Sequence, residues 1–141
     1  MRILNCILFC MLLAAFSCRD NPPDIPIPLN GTKWKLAGSV NVETGILKEF
    51  EPTDCAECFT LTFNSDHTAS GRSILMNVEI DLLNLDPTRP MAKIAYDEGG
   101  YPDGERFRTA IYKAASFIVT SEELKLYYNN TEYLLFKPIL L

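Results

Sequence analysis

Cationic side chains are scarce in this chain. Thirteen lysines and arginines face eighteen aspartates and glutamates, for a net charge of −5. Without a basic excess there is little to neutralise a phosphate backbone, which argues against nucleic acid as a partner. Histidine occurs once, at His67, and no Gly-x-Ser-x-Gly elbow is present to hold a nucleophile. Hydrolysis of the Ser-His-Asp type therefore lacks its parts. The apolar run from Ile3 to Phe16 falls short of the roughly 20 residues a membrane-spanning helix needs. Internal repeats are lacking as well. What is present is apolar: 48% of the 141 residues are hydrophobic, too many for a disordered chain and enough for one globular domain.

Arg2 and the run Ile3–Phe16, closed by the small residue Ser17, read as a secretory signal peptide. Ala15-Phe16-Ser17 suits ordinary signal peptidase, which would cut before Cys18. The same stretch, Leu13-Ala14-Ala15-Phe16-Ser17-Cys18, resembles the lipobox of bacterial lipoproteins, although Phe16 and Ala15 depart from its usual residues. That resemblance implies that the thiol of Cys18 is acylated and that Cys18 becomes the new N-terminus. An unmodified secreted protein would instead carry an exposed thiol there. Arg19–Leu29, RDNPPDIPIPL, holds four prolines and is expected to be an extended tether. The expected division is thus signal peptide 1–17, lipidated tether 18–29 and folded domain 30–141.

Cys6 and Cys10 leave with the signal and Cys18 is taken by lipid, so Cys55 and Cys58 remain in the mature chain. In an oxidising compartment such a pair is expected as a disulfide. Free thiols, redox chemistry and metal binding are the alternatives. A thioredoxin-like site wants its first cysteine at a helix N-terminus, whereas Cys58 runs into an alternating strand. A zinc site from Cys55, Cys58 and His67 lacks an obvious fourth ligand. No cofactor is expected.

From Asn30 onward, short alternating segments separated by turn residues predict an all-β antiparallel meander. The expected strands are Lys33–Val40, Ile46–Glu51, Cys58–Phe63, His67–Leu75, Val78–Leu85, Met91–Tyr96, Ser116–Thr120, Leu124–Tyr128 and Glu132–Phe136. Glu43-Thr44-Gly45 and Asn129-Asn130 supply turns, and Gly71 marks a bulge or a tight bend. Phe107, Ala110, Ile111 and Ala114 recur at helical steps, predicting one short late helix over Glu105–Ala115 that plugs or covers a barrel end. About eight strands closing into a barrel is a size that is either filled by side chains or holds one small ligand.

Three stretches, NGTKWKLAG (Asn30–Gly38), CFTLTFNSDHTASGRS (Cys58–Ser73) and LKLYYNNTEYLLFKP (Leu124–Pro138), resemble the small lipocalin-like lipoproteins of Bacteroidetes-type bacteria, relatives of META-domain proteins. Gly31 and Trp34 are similar to the Gly-x-Trp opening of true lipocalins, with two residues between them instead of one. The resemblance implies a calyx-like β-barrel and no assigned activity. Asp20 and Asp24 loosely resemble the acidic tract that sends some lipoproteins of this group to the cell surface. An outer-membrane location follows from the same likeness.

Two functions remain as expectations. The first is a non-catalytic envelope lipoprotein, attached to the membrane by its N-terminal lipid, whose barrel binds a small apolar ligand or a partner protein. The aromatic residues Trp34, Phe59, Phe63, Tyr96, Phe107 and Phe117 would then line a calyx or simply fill a core. Of the adjacent Tyr127 and Tyr128, one must face outward, a hint of a binding face. The second is an envelope hydrolase or redox protein using Cys55 and Cys58 or the acidic loop of Asp97, Glu98, Asp103 and Glu105. That loop lacks the register of a known calcium site.

Overall fold

The computed structural model describes residues 27–90 and 100–140. The signal segment, Cys18, most of the tether, and the expected strand Met91–Tyr96 lie outside them.

Among the described residues, eight strands and one helix follow in chain order: β1 (Lys33–Asn41), β2 (Leu47–Lys48), β3 (Thr60–Phe63), β4 (Thr68–Arg72), β5 (Asn77–Asp81), α1 (Pro102–Tyr112), β6 (Ser116–Val119), β7 (Leu124–Tyr127) and β8 (Glu132–Ile139). They form a single antiparallel sheet in the order β5-β4-β3-β1-β8-β7-β6, with β2 added beside β1. Two meanders, β3-β4-β5 and β6-β7-β8, are therefore joined through β1. Its pairing with β8 runs from Lys33 opposite Ile139 to Asn41 opposite Glu132.

The sheet curls into a half-barrel, the all-β architecture expected from the alternation. β5 and β6 form its two ends. Helix α1 packs against β5 and leads within three residues into β6.

Alternation decides which side of each strand is buried. Trp34 and Leu36, Leu61 and Phe63, Leu124 and Leu126, and Leu134 and Phe136 all point into the curl and are buried. The helix answers with Phe107, Ala110 and Ile111. Phe50, Phe59, Phe107 and Phe136 make a chain of edge-on and tilted ring contacts with centroids 5.6, 5.3 and 6.2 Å apart. Each such side chain removed from water contributes roughly 1.5–3 kcal/mol. Of the six aromatics expected to line a calyx or fill a core, Phe59 and Phe107 pack on each other, and Trp34 and Phe63 are buried in the core. Trp34 keeps its indole N–H satisfied by donating to Thr32 Oγ1 at 2.8 Å.

Apart from shifts of one to three residues at other ends, such as β3 starting at Thr60, β4 spanning only Thr68–Arg72, β8 running on to Ile139 and α1 ending at Tyr112, four features differ from the alternation reading, each for a local reason. The strand expected over Val78–Leu85 stops at Asp81, whose carboxylate accepts the Leu83 N–H at 2.9 Å and the Asn84 amide at 2.6 Å, closing an Asx turn. The strand expected over Ile46–Glu51 shrinks to Leu47–Lys48, because Phe50 leaves the ladder and enters the core. The helix starts at Pro102, ahead of Glu105. Proline suits a first helical turn, and Asp103 and Glu105 there favour the positive end of the helix dipole. The bulge falls in β1, between Leu36 and Gly38, and not at Gly71. Gly71 serves a different purpose: a Cβ there would run into the Thr60 carbonyl of the neighbouring strand.

Candidate functional site

The bulge in β1 coincides with a change of partner. One edge of β1 pairs with β3 over Lys33–Lys35 and with β2 over Ser39–Val40. Between them, the stretch around Ala37 is handed from one strand to the other, and the connection from β2 to β3 passes over the gap. A groove of about 200 Å³ lies there, with Leu36, Phe50 and Phe59 among its lining and Lys35, Glu49 and Thr53 as its polar members. Leu47, 44% exposed, stands at its side.

The connection is closed on itself by Cys55 and Cys58, whose sulfurs stand 2.02 Å apart at bonding distance. Lys35 ties this loop to the sheet. Its ammonium donates to the Cys55 carbonyl at 2.7 Å and to the Cys58 carbonyl, and it lies 5.9 Å from the Phe59 ring centroid. Burial holds the Lys35 pKa below that of an ordinary lysine, and Glu57 partly opposes the shift. Phe59 itself adopts a φ of 55°, a left-handed conformation that costs a non-glycine residue about 1–2 kcal/mol. Its packing between Phe50 and Phe107 opposes that cost.

A second polar assembly links the helix to the sheet. Arg106 donates to Ser39 Oγ at 2.8 Å and to Glu132 Oε1 at 3.2 Å, and stacks over the Phe50 ring at 4.8 Å. Tyr128 donates to the other Glu132 oxygen at 2.8 Å. Burial, reinforced by this bond to Glu132, pushes the Tyr128 hydroxyl up to about 12. Asp103 accepts the Glu51 N–H at 2.9 Å and lies 3.8 Å from Arg106, so the helix also holds the start of the β2–β3 connection. These bonds fasten α1, β1 and β8 together, while Arg106 Nη1 is buried without a hydrogen bond, 3.8 Å from Asp103.

The remaining sequence candidates do not gather. His67 sits in the β3–β4 turn, where its N–H donates to Ser65 Oγ at 3.3 Å. Asp97, Glu98 and Tyr96 lie outside the described residues. Phe117 packs partly buried against the core. Among the described residues, no three His, Cys, Asp or Glu side chains converge as metal ligands. Among the described residues, the carboxyls with shifted pKa values, Asp81, Asp86 and Glu123, are held below the ordinary range, chiefly by hydrogen bonds from Asn84, Thr88 and Lys125 respectively. A general acid at neutral pH needs the opposite shift. Lys35, Leu47 and Arg106 were not singled out in the sequence. Only a long-range contact defines each, and alternation carries no signal for such contacts.

The chain matches no family model and no solved structure. A protein of Tannerella forsythia, provisionally named a lipoprotein, is 30% identical over 126 residues, covering 89% of this chain and 86% of that protein. At that identity and coverage, the chain belongs to the same family as this Bacteroidetes lipoprotein.

Proposed function

We propose that the chain is a non-catalytic lipoprotein of the outer membrane, held there by lipid on Cys18, whose lipocalin-like domain takes a small apolar ligand. Membership in a lipoprotein family, together with a lipobox-like stretch ending at Cys18, is the observation that carries the anchor. Two or more acyl chains give stable attachment at about 0.8 kcal/mol per buried CH₂, so no spanning helix is required. Asp20 and Asp24 support display at the cell surface.

The groove beside Leu47 supports the ligand. Leu36, Ala37, Leu47, Phe50, Pro52 and Phe59 give it an apolar majority beside Lys35, Glu49 and Thr53. At about 200 Å³ it is smaller than the roughly 300–1,000 Å³ of drug-sized pockets, which favours a small molecule or the end of an acyl chain. Native mass spectrometry of the mature lipoprotein is the test. A copurified apolar molecule, lost when Ala37→Phe fills the groove, is the expected result. A protein bound in its place, or an empty groove after purification in mild detergent, would overturn the ligand reading.

A further inference from the structure

The convex face of the sheet lies outside the core and meets the groove only at Lys35 and Leu47. Leu134 and Phe136 point into the curl, so Tyr133, Leu135 and Lys137 point out of it. Register then defines a row across the sheet: Tyr127 opposite Tyr133, Tyr133 opposite Val40, and Val40 opposite Leu47. The two tyrosine rings are in contact, with centroids 5.0 Å apart. Val40 is only 5% exposed, yet it stands outside the interior core cluster, consistent with cover from these outward neighbours.

Val42, 48% exposed, extends the row. Ile118, 54% exposed, lies opposite Lys125 on the same face. The outward side thus carries the exposed aliphatic side chains Val42, Leu47 and Ile118 around two half-buried tyrosine rings.

Its charge differs from that of the chain as a whole. Lys33, Lys35, Lys125 and Lys137 project from β1, β7 and β8 on this side. The acids reaching them are Glu57, 3.2 Å from Lys33, and Glu123, 3.0 and 3.2 Å from Lys125 and Lys137. Lys125 also lies 5.6 Å from the Tyr133 ring centroid. The outward acids of β5, Glu79 and Asp81, are separated from β1 by β4 and β3. A locally cationic face on a protein of net charge −5 complements an anionic surface.

We infer that this face lies against a membrane surface bearing anionic headgroups. Lys33, Lys125 and Lys137 meet headgroup phosphates, while Lys35 stays bonded to the Cys55 and Cys58 carbonyls, and Tyr127, Tyr133, Ile118, Val42 and Leu47 enter the interfacial layer, where tyrosine's apolar ring and polar tip are both accommodated. The inference rests on the anchor proposed above. Chain length permits it: the stretch from Cys18 to Ile27 reaches at most about 30 Å when extended. The tether joins the fold at Leu29, whose N–H is held by Asp66 at 3.2 Å, close to the Lys33 end of β1. Weak interfacial contacts suffice, because the lipid already keeps the domain at the membrane.

The test is hydroxyl-radical footprinting of the full mature lipoprotein, reconstituted in vesicles of phosphatidylethanolamine with phosphatidylglycerol, or of phosphatidylcholine alone. Tyr101, 46% exposed at the start of α1, serves as the internal reference. Oxidation of Tyr127 and Tyr133 should fall several-fold relative to Tyr101 on the anionic vesicles. It should be restored by the Lys125→Glu, Lys137→Glu double variant or by Val42→Asp, with each variant still floating with the lipid. Floating protein with both tyrosines fully oxidised would overturn the docking and leave the anchor intact. Protection that follows protein concentration and not lipid charge would assign the face to a second copy of the chain, and would also overturn it. Protein that does not float would overturn the anchor and this inference together.

Discussion

The Arg106 guanidinium donates to the Ser39 hydroxyl at 2.8 Å, joining the helix to the strand that unites the two meanders. Ser39 is 1% exposed and occupies a core-facing position that alternation would assign to an apolar residue. Its hydroxyl is satisfied there because Arg106 reaches it while also pairing with Glu132. Arg106→Ala should therefore destabilise the domain by about 2–3 kcal/mol, since it strands a buried hydroxyl and a half-buried carboxylate. Urea unfolding of the two proteins measures this, and a loss below about 0.5 kcal/mol, typical of a plain surface change, would contradict it.

Tyr128 supplies a pH dependence with a definite sign. Its folded pKa is raised from 10.0 to about 12, mainly by burial and next by the bond to Glu132. The folded state thus binds the phenolic proton more tightly than the unfolded state. The resulting stabilisation is fully present below the unfolded value near 10 and fades as pH rises towards 12. Ultraviolet titration should show one late-ionising tyrosine that is absent from Tyr128→Phe. The variant should also lose less stability than the parent over that interval.

How much of this was legible beforehand depended on the range of the interaction involved. The strand pairs around Asn129 and around Glu43-Thr44-Gly45 were readable because their turns are local: Asn129 Oδ1 accepts the Thr131 and Glu132 N–H groups, and Asn41 Oδ1 accepts those of Glu43 and Thr44. The end of β5 at Asp81 is equally local, yet the leucines Leu82, Leu83 and Leu85 that follow mask it. The groove was not readable, since it arises where β1 changes partners around Ala37, a property of three strands at once. Of the tyrosine pair, alternation required opposite faces but did not say which was which. Leu126, fully buried next to Tyr127 in the same strand, settles that Tyr127 points outward.

Gly71 is required by the approach of β3 to β4. A methyl group there would overlap the Thr60 carbonyl, which belongs to the backbone and cannot swing aside. Gly71→Ala should cost about 1–3 kcal/mol and loosen amide protection along Thr60–Phe63. Gly45, with open space around the same position, should pay only about 1 kcal/mol for its left-handed backbone. Equal losses at the two sites, measured by denaturant unfolding, would contradict the steric account.

Cys55 and Cys58 enclose a short loop, for which chain entropy gives a stabilisation of about 2 kcal/mol. Cys58→Ser should lower stability by about that amount while leaving the sheet spectrum unchanged. Alkylation of the native mature protein should label neither cysteine until reductant is added. Ready labelling without reductant would show free thiols.

Lipid on Cys18 is the proposed anchor of this chain in the envelope, and the intact mass of the mature chain from the membrane fraction tests it most directly. The expected result is a polypeptide beginning at Cys18, heavier than its sequence by a diacylglyceryl group with or without a further acyl chain, and the loss of that species in Cys18→Ala. An unmodified polypeptide beginning at Cys18, or one retaining residues 1–17, would contradict it.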